Sequence, residues 1–248
     1  MVSVPNRRLV LAALAVTALL LVAGCTSNQI PDEQLDSEYD YSDLRERNAT
    51  VAIDLEAGGL LDDGSFAAVY DLEDTDEIDV YRSGLFSDSP LDVESVRFWY
   101  ANGTVVNGSE LAVDRGQSQT TISLPASNGT VAFSGAAGKK SFSLPAFRSG
   151  SYNVTLPANQ RSSSLILGSV SPGGFERSIH DDTETLQWES VDEPLSLQYY
   201  HERDVWIFYG AIALAVVGGG IAAAATYRRL AQLRRQRAEM GIEDDPSE

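Results

Sequence analysis

The densest group of side chains able to hold a cation is the run DLEDTDEID, which supplies Asp71, Glu73, Asp74, Asp76, Glu77 and Asp79. Hard cations such as Ca²⁺ take six to eight oxygen ligands, and an EF-hand loop adds glycine at its sixth position and glutamate at its twelfth. Counted from Asp71, Asp74 or Asp76, neither requirement is met. The run therefore reads as a solvated acidic loop between two strands. His180 stands beside Asp181 and Asp182, and His201 beside Glu202 and near Asp204. Without HxxxH or HxH spacing, two histidines give too few ligands for zinc unless carboxylates complete the set, so both are expected on the surface. SVSPGGFERS contains Gly173 and Gly174 but no P-loop lysine, and no GxSxG nucleophile elbow occurs. No catalytic residue, metal or cofactor is expected, and the chain is read as a non-enzyme.

The one cysteine, Cys25, ends the run LLLVAGC. Arg7 and Arg8 precede about sixteen uncharged residues, 9–24, a length short for a membrane span and suited to the apolar part of a signal peptide. Ala23 and Gly24 before the thiol resemble the lipobox of lipoproteins, in which Cys25 receives a lipid after residues 1–24 are cleaved. The alternative is an uncleaved signal anchor, with Cys25 incidental. The two arginines also resemble a Tat export signal, leaving Sec and Tat both open. A nucleophilic role for Cys25 would need a base held against it, and the chain offers only His180 and His201. One cysteine allows no internal disulfide, so packing alone must hold the fold.

At the other end, residues 205–227 form a charge-free run of twenty-three, long enough to cross a roughly 30 Å hydrocarbon core as a helix. Trp206, Tyr209 and Tyr227 stand where aromatic rings favour the membrane boundary. Arg228, Arg229, Arg234, Arg235 and Arg237 follow, so the positive-inside rule puts the tail 228–248 in the cytoplasm and the preceding region outside the cell membrane. Gly218, Gly219 and Gly220 offer a close approach to another helix, unless they merely fill a lone span.

Between these ends, 25–47 is polar and acidic with no strand alternation and reads as a lipidated tether or short helix that lifts the domain from the lipid. Residues 48–204 read as strands. TVAIDLE alternates Val51, Ile53 and Leu55 against Ala52 and Asp54, and VESVRFWYANGTVV reads as a hairpin with Asn102-Gly103 in a type I′ turn. Many short strands punctuated by Pro and Gly predict a mainly β, antiparallel sandwich-like extracytoplasmic region, as one large or two small domains, followed by one transmembrane helix. Leu195, Leu197 and Tyr199 alternate directly into the span with no flexible spacer. Five acceptor tripeptides for N-glycosylation occur, at Asn48, Asn102, Asn107, Asn128 and Asn153, all in the expected outer region.

The formal net charge is −18, and Lys139 and Lys140 are the only lysines. Such a surface excludes nucleic acid as a partner and has the composition of a protein from a salt-loving archaeon. With Cys25 in a lipobox, strands ending GSYNVTLP, a tryptophan-bearing strand, and YYHERDVWIF before one span and an arginine tail, the chain resembles a haloarchaeal envelope lipoprotein family classed as a domain of unknown function. That resemblance implies location and architecture over nearly the whole chain and supplies no catalytic residue. The lipid bilayer is the expected partner, with a membrane-protein or surface-layer partner for an interaction module. The other class of function is a ligand-binding or sensor accessory subunit of a transporter. A deep pocket lined by converging polar groups would favour the second; a shallow domain with an apolar patch near the span would favour the first.

Overall fold

The computed structural model describes residues 29–59, 63–84, 87–163 and 167–239; the expected signal segment 1–24, Cys25 and the end of the tail, 240–248, lie outside the described residues. Two one-turn helices, α1 (Asp32–Leu35) and α2 (Ser42–Arg45), come first. The strands follow as β1 (Val51–Glu56), β2 (Ser65–Leu72), β3 (Glu77–Arg82), β4 (Ser89–Pro90), β5 (Val93–Tyr100), β6 (Val105–Asn107), β7 (Ala112–Arg115), β8 (Thr120–Ser123) and β9 (Gly129–Ala136). After them come β10 (Ser141–Leu144), β11 (Gly150–Thr155), β12 (Gln160–Arg161), β13 (Ser169–Ser171), β14 (Glu176–His180), β15 (Thr183–Val191), β16 (Leu195–Gln198) and β17 (Tyr200–His201). A 38-residue helix, α3 (Glu202–Glu239), ends the described chain.

The architecture is mainly β, with several antiparallel sheets and one long apolar C-terminal helix. Eight strands form one sheet in the order β14, β15, β11, β1, β2, β9, β5, β6, and smaller sheets contain β4, β3, β8, β7, then β10, β16, β13, then β12 with β17. Within the large sheet only β1 and β11 pair in parallel. About a hundred residues separate them, so no hairpin dictates their relative direction.

Alternation builds the core. Val51, Ile53 and Leu55 of β1, Phe66, Ala68 and Tyr70 of β2, and Val131 and Phe133 of β9 turn to one face, where they meet Ile78, Ile122, Phe142 and Leu197 from the smaller sheets. Phe133 stacks on Tyr70 with ring centres 5.5 Å apart and planes 6° from parallel. Full burial of each large side chain stabilises the fold by about 1.5–3 kcal/mol.

The opposite face of the large sheet is lined by the small side chains Ala52, Ala67 and Ala132 with Val69, which leave room for Tyr41 and Leu44. Within the segment expected as a tether or short helix, residues 30–47 carry the one-turn helices α1 and α2 and are docked on the sheet, with Ile30, Leu35, Tyr41 and Leu44 all buried. A bulge in β5 between Glu94 and Arg97 makes the dock: Ser95 takes φ 52°, its carbonyl accepts a 2.9 Å bond from Tyr41 Oη, and its hydroxyl meets Ser37 Oγ at 2.7 Å. Arg97 donates to the carbonyls of Leu35, Asp36 and Ser37 at 3.3, 2.9 and 3.2 Å. The polar composition of this segment conceals a few well-spaced apolar and aromatic residues, and those fix it.

The β5–β6 hairpin is present with a different turn. Gly103 N donates to Tyr100 O at 2.9 Å, Tyr100 N to Thr104 O at 2.9 Å, and of Asn102 and Gly103 only Gly103 has positive φ, at 85°. This is a type I turn closed by a glycine bulge rather than type I′, and Asn102 Oδ1 accepts a 2.9 Å bond from Thr104 N. Positive φ at both central residues falls on Asp181 and Asp182, at 45° and 62°, in the two-residue turn between β14 and β15.

Pairing register gives the large sheet two distinct ends. Glu56 pairs with Ser65, Ser65 with Ala136, and Val93 with Gly135 at one end; Leu72 and Tyr100 both pair with Gly129 at the other.

Candidate functional site

The chain passes from strand to apolar helix within a few residues, and this junction is tied to the β domain by several polar contacts. Leu195, Leu197 and Tyr199 face inward as alternation requires, and Tyr200 is buried too because β17 pairs with β12. Tyr199 N donates to Lys140 O at 3.0 Å, and Glu202 N, in the first turn of α3, donates to Asn159 O at 3.3 Å. Lys140 Nζ lies 2.6 Å from Asp204 Oδ2, and Arg161 lies 3.7 Å from Glu202 and 3.8 Å from Asp182. Asn159 holds φ 60° and donates its N–H to Asp182 O at 2.8 Å, joining the helix seat to the Asp181-Asp182 turn.

Beneath this seat Glu184 is fully buried on the core side of β15. Its carboxylate accepts bonds from Ser162 Oγ at 2.5 Å, Ser162 N at 3.1 Å and Arg177 Nε at 2.8 Å. A carboxylate satisfied this way locks the 156–163 segment that carries Asn159 and Arg161. Sequence reasoning missed Glu184; its signal was an acidic residue in phase with inward-facing Leu186 and Trp188.

α3 makes the membrane case by what it leaves uncovered. It is long and apolar enough to cross a membrane, with none of its apolar stretch buried by the rest of the described chain. Trp206 is 78% exposed and Leu214 75%. Gly218, Gly219 and Gly220 stand in this stretch with open space beside them, so a Cβ added at any of the three would meet nothing within 4 Å.

The remaining candidate residues are dispersed. Asp71 accepts from Thr130 Oγ1 at 2.9 Å, Glu73 lies 3.5 Å from Arg148, and Asp79 accepts from Thr121 Oγ1 at 2.6 Å, so the acidic run is divided among three partners. Among the described residues no three His, Cys, Asp or Glu side chains gather at metal-binding distance. His180 is exposed on the edge strand β14, and His201, half-buried in β17, pairs across the ladder with Gln160. Asn48, Asn102, Asn107 and Asn128 are exposed, whereas Asn153 is half-buried in β11 between β1 and β15. A cleft of about 570 Å³ at the sheet end away from α3 is lined by Arg47, Asn48, Asp71, Glu73, Arg148 and Glu189.

Fold and junction together define a β-rich domain carrying one long apolar C-terminal helix. The chain belongs to the family of unknown function DUF5803, whose model matches residues 47–245. No curated protein matches it. Among solved structures, an M1 zinc metallopeptidase from Deinococcus radiodurans, bound to a Tyr-Ser-Ala substrate, is similar at 11% identity with a TM-score of 0.33, over 60% of this chain and 40% of that one. The chain thus spans less than half of that peptidase, and a similarity this low defines neither a shared fold nor a shared activity.

Proposed function

We propose that the protein is a non-enzymatic envelope lipoprotein of a haloarchaeon, whose outer β domain is fixed at both ends to one bilayer and acts as an interaction module for a membrane-protein or surface-layer partner. The observation that carries this is that both ends of the domain leave from the same end of the large sheet. Gln34 Nε2 donates to Val93 O at 3.4 Å and to Glu94 Oε1 at 3.3 Å, at the Val93 end of β5. Asn159, which seats the first turn of α3, follows β11 at that same end, where Thr155 pairs with Asp54. Cys25 precedes Gln34 by nine residues, a reach of at most roughly 30 Å. Between β5 and β11 stand β9, β2 and β1, so the two exits are roughly 19 Å apart.

A lipid on Cys25 and a spanning α3 would then enter the same leaflet, with the arginine tail in the cytoplasm. Two anchors restrict rotation of the domain and hold a fixed side toward neighbours in the membrane, which retention alone does not require. A second role, as a ligand-binding subunit of a transporter, is favoured by the 570 Å³ cleft and its two arginines.

Purification from native membranes in mild detergent, followed by mass spectrometry, separates the two. An envelope or surface-layer protein recovered stoichiometrically supports the interaction module; a transporter supports the second role. For the anchors, the mature chain should begin at Cys25 with added lipid mass, and Cys25→Ser should accumulate as precursor; mature protein retaining Met1 would contradict lipidation.

A further inference from the structure

We propose that Asn48, Asn102 and Asn128 carry N-linked glycans that cap the end of the large sheet farthest from α3, and that Asn153 stays bare. The proposal rests on the outer placement of the β domain given above. Of the six asparagines in 48–204, five stand in acceptor tripeptides, but the fold treats them differently. Asn128 immediately precedes Gly129, which pairs with both Tyr100 and Leu72, and Asn102 lies in the turn just beyond Tyr100. Asn48 precedes β1 at the same end, where Asp71 N donates to Thr50 O at 2.9 Å. β2 spans eight residues, so these three acceptors stand roughly 25 Å from the end where α3 leaves. Across the sheet, β1 and β5 are three strand spacings apart, which spreads the acceptors over roughly 15 Å.

Each of the three is exposed, Asn102 in a turn and Asn48 and Asn128 in bends. At Asn102 the side-chain oxygen is held by Thr104 N, which turns the amide nitrogen outward. Gly129 has a structural duty of its own: a Cβ there would meet the Phe98 ring at 2.5 Å and Trp99 O at 2.6 Å. Glycine after Asn128 is therefore explained by packing, and Thr130, which completes the tripeptide, also donates to Asp71 Oδ1 at 2.9 Å, so the case for Asn128 rests on its exposure. Asn153 differs in kind. It lies in a strand paired on both sides, and Arg47 covers it, donating to Asn153 Oδ1 at 3.4 Å and to its tripeptide's Thr155 Oγ1 at 2.9 Å. A glycan there would displace Arg47 from Asp54, 2.7 Å away, and lift the docked N-terminal segment.

At each modified site the Nδ2 nitrogen displaces phosphate from a lipid-phosphate-linked oligosaccharide supplied to a membrane transferase. The bond from Nδ2 to the anomeric carbon forms, the bond from that carbon to the phosphate oxygen breaks with its electron pair leaving on phosphate, and one Nδ2 proton is released. The resulting cap would cover the acidic loop between β2 and β3 and the rim of the cleft at Asn48, leaving the sides and the bilayer-facing end for protein contacts.

Glycopeptide mass spectrometry on the full chain from native membranes tests this, alongside digestion of intact cells by an external protease. Expected are glycans at Asn48, Asn102 and Asn128, none at Asn153, loss of one glycan mass in each of Asn102→Gln and Asn128→Gln, and none lost in Asn153→Gln. A glycan on Asn153, or bare Asn102 and Asn128 in a protein whose β domain the protease digests, would overturn the proposal while sparing the topology. A β domain inaccessible to protease in intact cells would overturn both.

Discussion

Lys140 Nζ lies 2.6 Å from Asp204 Oδ2, so one of the chain's two lysines ties the loop after β9 to the first turn of the apolar helix. Both side chains are partly exposed, which limits the pair to about 0–1 kcal/mol and makes it sensitive to salt. Its consequence is orientation. Lys140→Ala should leave the unfolding midpoint nearly unchanged and broaden the distance distribution between spin labels on the domain and on α3; an unchanged distribution would show that the pair positions nothing.

Glu184 should behave in the opposite way. Glu184→Gln keeps the shape, loses the ion pair with Arg177 and leaves an amide donor facing the Ser162 N–H. Destabilisation of about 1–3 kcal/mol is expected in denaturant titration of the solubilised full chain. The exposed neighbour Glu189, changed to Gln, should stay within about 0.5 kcal/mol.

The docking of the N-terminal segment depends on the forked guanidinium of Arg97. Arg97→Lys cannot reach three carbonyls at once, so limited proteolysis should cut within residues 30–47 while the strands remain resistant. Equal resistance in the variant and the unaltered protein would mean that Tyr41 and Leu44 hold the segment by themselves.

Alkaline pH should release the same segment. Burial, with the nearby Glu56 and Asp54 carboxylates, pushes the Tyr39 phenol up to about 12, burial raises Tyr41 further, and burial alone brings Tyr152 to about 12. A folded-state value raised above the unfolded one, about 10, gives stability that is whole below pH 10 and falls as pH rises through 12. Denaturant midpoints should therefore decline across that window. In acid, Asp36 works the other way: hydrogen bonds from the Ser109 hydroxyl and N–H hold its carboxyl below the usual range, so its contribution is present above about 3.9 and fades as pH falls.

Strand alternation and the long apolar run were legible because each is a local pattern. Val51, Ile53 and Leu55 face inward as read, and Leu195, Leu197 and Tyr199 run straight into α3. What the sequence withheld depends on distant partners. Tyr200 is buried only because β12 returns beside it, the parallel pairing of β1 with β11 bridges about a hundred residues, and Ser95 acquires its role from a bulge that receives Tyr41. The Asn102-Gly103 pair correctly marked a turn, but its type depended on which residue re-entered the ladder, here Thr104. Candidate site residues followed the same division: acceptor asparagines could be found by pattern, whereas the buried Glu184 cluster and the shared exit of both chain ends required the fold.

The most direct measurement replaces 205–227 with a poly-leucine helix of equal length and compares crosslinked partners in native membranes. If α3 and its seat at Lys140, Asn159 and Arg161 form part of the interface, the swapped protein should localise and fold normally yet lose its partners. Capture of the same partners at the same yield would contradict this and assign the interaction to the β domain alone.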